Sequence, residues 1–115
     1  MATTTAGKAG AERRRHRRVD RNIPLDMHLD ALGYDIRGET QNISAVGTYC
    51  AIDRPLPEMT RLMLALKLPS GPVTCEGTVV RSQADPDNTD RHHVAIFFSD
   101  ISKTAQTKLS EFLSA

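Results

Sequence analysis

Six arginines fall within the ten residues Glu12–Arg21, directly before the first stretch with a folding pattern. A guanidinium is a planar fork. It donates two parallel hydrogen bonds to a phosphate or to guanine O6/N7, and its face stacks on a base. Lysine would supply the charge without the fork, and the only nearby lysine is Lys8. The plainer alternative is a solvated basic arm with loose affinity for any polyanion.

A second cluster, Asn42-Ile43-Ser44-Ala45-Val46-Gly47, lies where one strand pattern gives way to the next. Asn42 offers an amide able to pair with a base edge, and Ser44 a hydroxyl and a backbone N–H. Gly47 permits either a positive φ or a close backbone approach. Taken alone, Asn, Ser and Gly here are also ordinary turn chemistry.

Other reactive residue types do not assemble into a catalytic pattern. His92 and His93 are adjacent on a strand, so they face opposite sides and are read as one core and one surface histidine. His16 and His28 have no carboxylate or cysteine at ligand spacing, and Ser44 has no recognisable base. Asp85, Asp87, Asn88 and Asp90 hint at a calcium loop, but Pro86 and the missing Gly and Glu break that pattern. The chain is expected to be neither an enzyme nor a metal protein.

These clusters need a scaffold. At 115 residues and 39 % apolar content the chain suits one small domain. The tail 1–11 is Ala/Thr/Gly-rich, resembles no secretory signal, and is expected to stay flexible. No run approaches a membrane span, and Cys50 and Cys75 have no CxxC spacing, so a cytoplasmic protein with reduced core thiols is expected. Residues 1–21 carry seven basic side chains against two acidic ones, +5, and the remainder eight against twelve, −4. Charge concentrated before a mildly acidic body favours a small anionic ligand or a local contact over general nucleic-acid binding.

A period of two runs along 23–31 and 61–68, 93–98 reads as an apolar strand with Val94, Ile96 and Phe98 on one face, and three further strands are read over 36–44, 46–52 and 73–82. Pro24 belongs at a strand start or edge, and 84–90 reads as a polar loop. From Ser102, a plausible N-cap, Ile101, Ala105, Leu109, Phe112 and Leu113 take helical spacing over about 102–114. The expected fold is all-β with a terminal helix: a six-stranded antiparallel, Greek-key-like barrel over 12–115, its arm at 12–21 and its open end capped by the helix.

Arg14 and Arg18 form an RxxxR pair, followed some two dozen residues later by NxSxxG at Asn42, Ser44 and Gly47. In order, separation and surrounding strands this resembles the PilZ domain, a bacterial receptor for cyclic di-GMP, over about residues 12–114. Arg18–Leu25 resembles the family's approach to its first strand, and Gly77–Arg81 and Val94–Phe98 two later strands. The resemblance implies the same barrel and helix. It implies that Arg14 and Arg18 clamp phosphates and guanine edges, that Asn42 and Ser44 fix a guanine and a phosphate, and that Gly47 shapes the turn. Arg13 would add a contact associated with a stacked ligand pair, and Arg81 either lines the site or is an exposed strand residue. Position 42 is Asn where Asp is commoner, a weaker acceptor for guanine. Arg17 and Asp20 stand where the family often has apolar residues or proline, which leaves the arm freer before binding. With no Trp, stacking is expected to fall on arginine.

The expectation is therefore a bacterial, non-catalytic receptor with no cofactor and no membrane insertion. Cyclic di-GMP, singly or as a stacked pair, orders the arm and alters contact with a downstream protein. The alternatives are an adapter of the same fold that works without nucleotide, and nonspecific nucleic-acid binding. Against the last stand the acidic body and the absence of an aromatic platform.

Overall fold

In the computed structural model, residues 18–31, 33 and 35–114 are described. Six strands are followed by one helix: β1 (Pro24–His28), β2 (Asp35–Ile43), β3 (Gly47–Ile52), β4 (Arg61–Leu68), β5 (Gly71–Asp85), β6 (Asn88–Asp100) and α1 (Lys103–Ser114). They close into a barrel in the order β1-β2-β3-β6-β5-β4, with every neighbouring pair antiparallel. Two three-stranded meanders are thus joined along two seams, β3–β6 and β1–β4. This is the expected six-stranded barrel with a terminal helix.

Alternation dictates the interior. On β4, Leu62, Leu64, Leu66 and Leu68 are buried while Arg61, Met63 and Lys67 face solvent. Leu25 and Met27 of β1 meet them across the β1–β4 seam. Each fully buried leucine or methionine contributes about 1.5–3 kcal/mol relative to exposure. α1 lays Ala105, Leu109 and Phe112 into the same core, and the Ser102 hydroxyl accepts from Ala105 N–H at 3.1 Å as its cap. No helix among the described residues is long and apolar enough to cross a membrane.

Cys50 and Cys75 are free and buried. Burial pushes their thiols up to about 12 and about 11, the latter helped by the charge of Asp100. Neither offers a thiolate nucleophile at neutral pH.

Two departures from the sequence reading are instructive. The stretch 84–90 is not a loop: β5 runs through Asp85 and β6 starts at Asn88, leaving Pro86 and Asp87 as the turn. Its polar residues serve the backbone. Asp85 Oδ1 accepts from Asp87 N–H at 2.8 Å, and Asn88 Oδ1 from Asp90 N–H at 2.9 Å. His28 does meet carboxylates, Asp35 at 2.9 Å and Asp30 at 3.5 Å, because the β1–β2 register places Asp35 opposite it.

Candidate functional site

The site is built where the incoming chain meets β2. Val19 and Ile43 form an isolated antiparallel bridge, with Val19 N–H on the Ile43 carbonyl at 2.9 Å and Ile43 N–H on the Val19 carbonyl at 3.0 Å. Fully buried Thr40 holds the next residues: its hydroxyl accepts from Ile23 N–H at 2.8 Å and donates to the Arg21 carbonyl at 2.6 Å. The Arg21 guanidinium lies 5.2 Å above the Phe112 ring, tying the end of the arm to α1. Arg18 is thereby set beside the Asn42–Gly47 turn.

Two bulges then decide which side chains face outward. Between Thr40 and Asn42 the β2–β3 register shifts, so Gln41 and Asn42 both turn to the outer face. Without that extra residue Asn42 would point into the core and Ile43 into solvent. On β5 the register shifts between Val79 and Arg81, and Val80 and Arg81 are both exposed. Between the bulges run β3 and β6, which present Tyr49, Ala95 and Phe97 outward. Phe97 is 49 % exposed and Val80 52 %, high for large apolar side chains.

These residues surround one cavity of about 210 Å³, open to solvent. Arg18 and Arg81 stand on it as cations, with Asn42, Ser44, Gly47, Tyr49, Val80 and Phe97 along its wall. Five of the seven residues singled out from the sequence therefore share one wall. Arg13 and Arg14 lie outside the described residues.

The turn residues are engaged internally. Ser44 N–H and hydroxyl both reach the Gly47 carbonyl, at 2.9 and 3.4 Å, and its oxygen accepts from Val46 N–H at 3.2 Å. Ser44 is buried, so in this state its hydroxyl builds the turn. The Thr48 hydroxyl is likewise engaged by the Asn42 carbonyl at 2.7 Å. Gly47 serves through close approach: its φ is not in the left-handed region, but a Cβ would collide with the Ile96 carbonyl oxygen. Among the described residues the Asn42 carboxamide has no hydrogen-bond partner and remains available to a ligand.

Tyr49, Val80 and Phe97 escaped the sequence reading. The signal is present for Phe97, since Val94, Ile96 and Phe98 share one face of the strand and Phe97 must lie on the other. An aromatic wall therefore accompanies the arginines. His93 belongs to this face as well, stacked on Tyr49 with ring centroids 5.7 Å apart, rather than being a plain core or surface histidine. His92 turns inward, its buried Nδ1 without a hydrogen-bond partner among the described residues. No group of three or more potential metal ligands occurs among the described residues, and His16 lies outside them.

The surroundings suit a planar, anionic ligand. Guanidinium and carboxamide groups read polar edges and phosphates, while Tyr49, Phe97 and Val80 offer flat apolar contact.

The family model described as PilZ domain matches residues 12–115. Solved structures share the fold at low identity. The Bacillus subtilis inhibitor of motility (MotI/DgrA) superposes with a TM-score of 0.74 at 21 % identity, covering 85 % of this chain. This chain spans only 48 % of that protein's length. The PilZ domain of YcgR from Escherichia coli, solved with c-di-GMP, gives 0.66 at 16 %, covering 89 % of this chain and 90 % of that one. The PilZ domain of CeSA from a cellulose-synthesising bacterium gives 0.60 at 14 %, covering 85 % and 96 %. Among curated proteins none matches the chain significantly.

Proposed function

Since the chain belongs to the PilZ domain family, we propose that it is a non-catalytic receptor for cyclic di-GMP, held between the arginine arm and the outer face of the barrel. The observation that carries this is the convergence of Arg18, Asn42 and Arg81 with Tyr49 and Phe97 on one open cavity. Arg14 and Arg18 grip phosphates and guanine edges from the arm, with Arg13 adding a further contact when a stacked pair binds. Asn42 reads a guanine edge, Arg81 closes the far side, and Phe97 and Tyr49 carry flat contact with the bases. Ser44 and Gly47 act by fixing the turn that presents Asn42. Ligand binding draws the arm onto the barrel, and a downstream protein reads that change.

Titration calorimetry with cyclic di-GMP on the wild type and on Arg14→Ala tests this. Losing a bidentate contact should weaken binding by about 1–3 kcal/mol. The stoichiometry separates a single ligand from a stacked pair, and hydrogen exchange over residues 12–21 should slow with ligand. Absence of heat and of any NMR shift with the wild type sinks the proposal.

A second reading, a nucleotide-independent adapter, is favoured by one observation. Met59, 75 % exposed, and Met63, 47 % exposed, leave two more large apolar side chains at the surface, just before β4 and on it. It takes over if the calorimetry is silent.

A further inference from the structure

One side chain outside the cavity holds both residues that the β2 bulge and the β3 strand turn toward it. His93 Nδ1 lies 3.1 Å from Gln41 Oε1, and its Nε2 lies 2.9 Å from Asp85 Oδ2. Its ring stacks on Tyr49 with an interplanar angle of 12°, and its side chain is only 12 % exposed. Gln41 is the bulged residue immediately before Asn42, and Tyr49 is the strand partner of Asn42. We propose that His93 is the positioning residue of the ligand face, fixing Asn42 and Tyr49 so that the grip on cyclic di-GMP depends on the protonation of its imidazole. The proposal rests on the receptor reading and adds a regulation of the same site.

The chemistry follows from counting donors. The Asp85 carboxylate can only accept, and Gln41 presents its oxygen, also an acceptor. An imidazole satisfies two acceptors only when both nitrogens carry protons. The neutral ring has one N–H, which the carboxylate holds more strongly than an amide oxygen does. Nδ1 then turns a lone pair toward Gln41 Oε1, and the carboxamide must rotate or withdraw. Because Gln41 is the extra residue of the bulge, its rearrangement is passed to the adjoining Asn42, and the ring stacked on Tyr49 is then held by Asp85 alone.

Several groups face this imidazole. Asp85 reaches it from β5, Gln41 from β2 and Tyr49 from β3. On β6 itself Arg91 lies two residues back on the same face, and His92 faces the other way. Glu39 is aligned with His93 through Ala51, one strand further. Of these charged groups Asp85 is the one in direct contact with the ring. Phosphodiesters and guanine keep their charge through the range in which histidine changes its own, about pH 5 to 8. A change in affinity across that range therefore originates in the protein.

The test is calorimetry with cyclic di-GMP at about pH 6 and pH 8, on the full chain and on His93→Phe, paired with NMR of the ligand-free protein over the same range. Wild-type affinity should fall about five- to tenfold on going to the higher pH, the fold-change of one lost hydrogen bond. His93→Phe keeps a ring for the stack and loses both N–H groups, so it should bind no better than the wild type at high pH. A His93→Phe variant that keeps the full wild-type slope overturns the proposal. In the ligand-free wild type, the Asn42 side-chain amide and Tyr49 ring signals should move with the His93 imidazole. The proposal is overturned if wild-type affinity is the same at both pH values, or if the Asn42 and Tyr49 signals do not follow His93. Absence of binding at either pH overturns the receptor reading instead, and the ligand-free titration then decides the coupling on its own.

Discussion

Val19 and Ile43 exchange two backbone hydrogen bonds, at 2.9 and 3.0 Å, and that bridge fastens the arginine arm to β2, upstream of the contacts Arg21 makes with Thr40 and Phe112. Arg18 owes its place at the cavity to this fastening. Val19→Pro removes the donor and bars the preceding residue from helical φ/ψ values. Cyclic di-GMP affinity should fall about tenfold, the equivalent of one or two hydrogen bonds. Because the strands do not depend on the bridge, thermal melting should drop by only a few degrees. Calorimetry and a melting scan on one preparation separate the two effects.

Gly47 should tolerate no side chain at all. The atom that an added Cβ would strike is the Ile96 carbonyl oxygen, which belongs to the β6 backbone and cannot swing away. Gly47→Ala should destabilise the fold by about 1–3 kcal/mol, measured by urea denaturation. Unchanged stability would mean that the β3–β6 seam adjusts more freely than its geometry implies.

Phe97 tests the opposite case, a large apolar residue that does little for the core. With half of its surface already exposed, Phe97→Ala should leave stability within about 1 kcal/mol. If the ring stacks on a guanine, the same change should weaken cyclic di-GMP binding by about 1–3 kcal/mol. A loss of stability with no loss of affinity would reassign Phe97 to packing.

Asp85 gives the stability a dependence on acid. The hydrogen bond with His93, followed by that from Asp87 N–H, holds its carboxyl below the ordinary value of 3.8. The folded state thus favours the carboxylate, a contribution complete above the unfolded value and lost as pH falls through the lower folded one. The stability gap between wild type and Asp85→Asn should be present at neutral pH and close below about pH 3.8. Urea denaturation at stepped pH measures it, and a gap that widens in acid would contradict the assignment.

Much of this was legible in the chain, and the exceptions share one cause. The leucine alternation of β4 and the helical spacing of α1 are local patterns repeated often enough to outweigh any single residue. The motif Asn42-x-Ser44-x-x-Gly47 was visible as a turn with unusual polar content. Its division of labour was not, because whether the Ser44 hydroxyl faces a ligand or the Gly47 carbonyl depends on geometry three residues away. The bulges at Gln41 and Val80 were equally hidden. Each is a register shift between two strands, a property of a pair that neither strand's sequence carries alone. Tyr49 and Val80 went unnoticed for that reason. The 84–90 stretch misled because polar residues on a two-sided wet hairpin look the same as those of a loop.

The strand order has a consequence in time as well as in space. The cavity takes Asn42, Gly47 and Tyr49 from the first meander and Val80, Arg81 and Phe97 from the second, across the β3–β6 seam. β6 is the last strand in the chain, and its pairing with β3 closes a loop of about forty residues, among the slower events in folding a small barrel. A nascent or truncated chain ending before His92 would carry the whole NxSxxG sequence and still have no cavity. On the receptor reading, the capacity to bind cyclic di-GMP is thereby reserved for molecules that have finished folding.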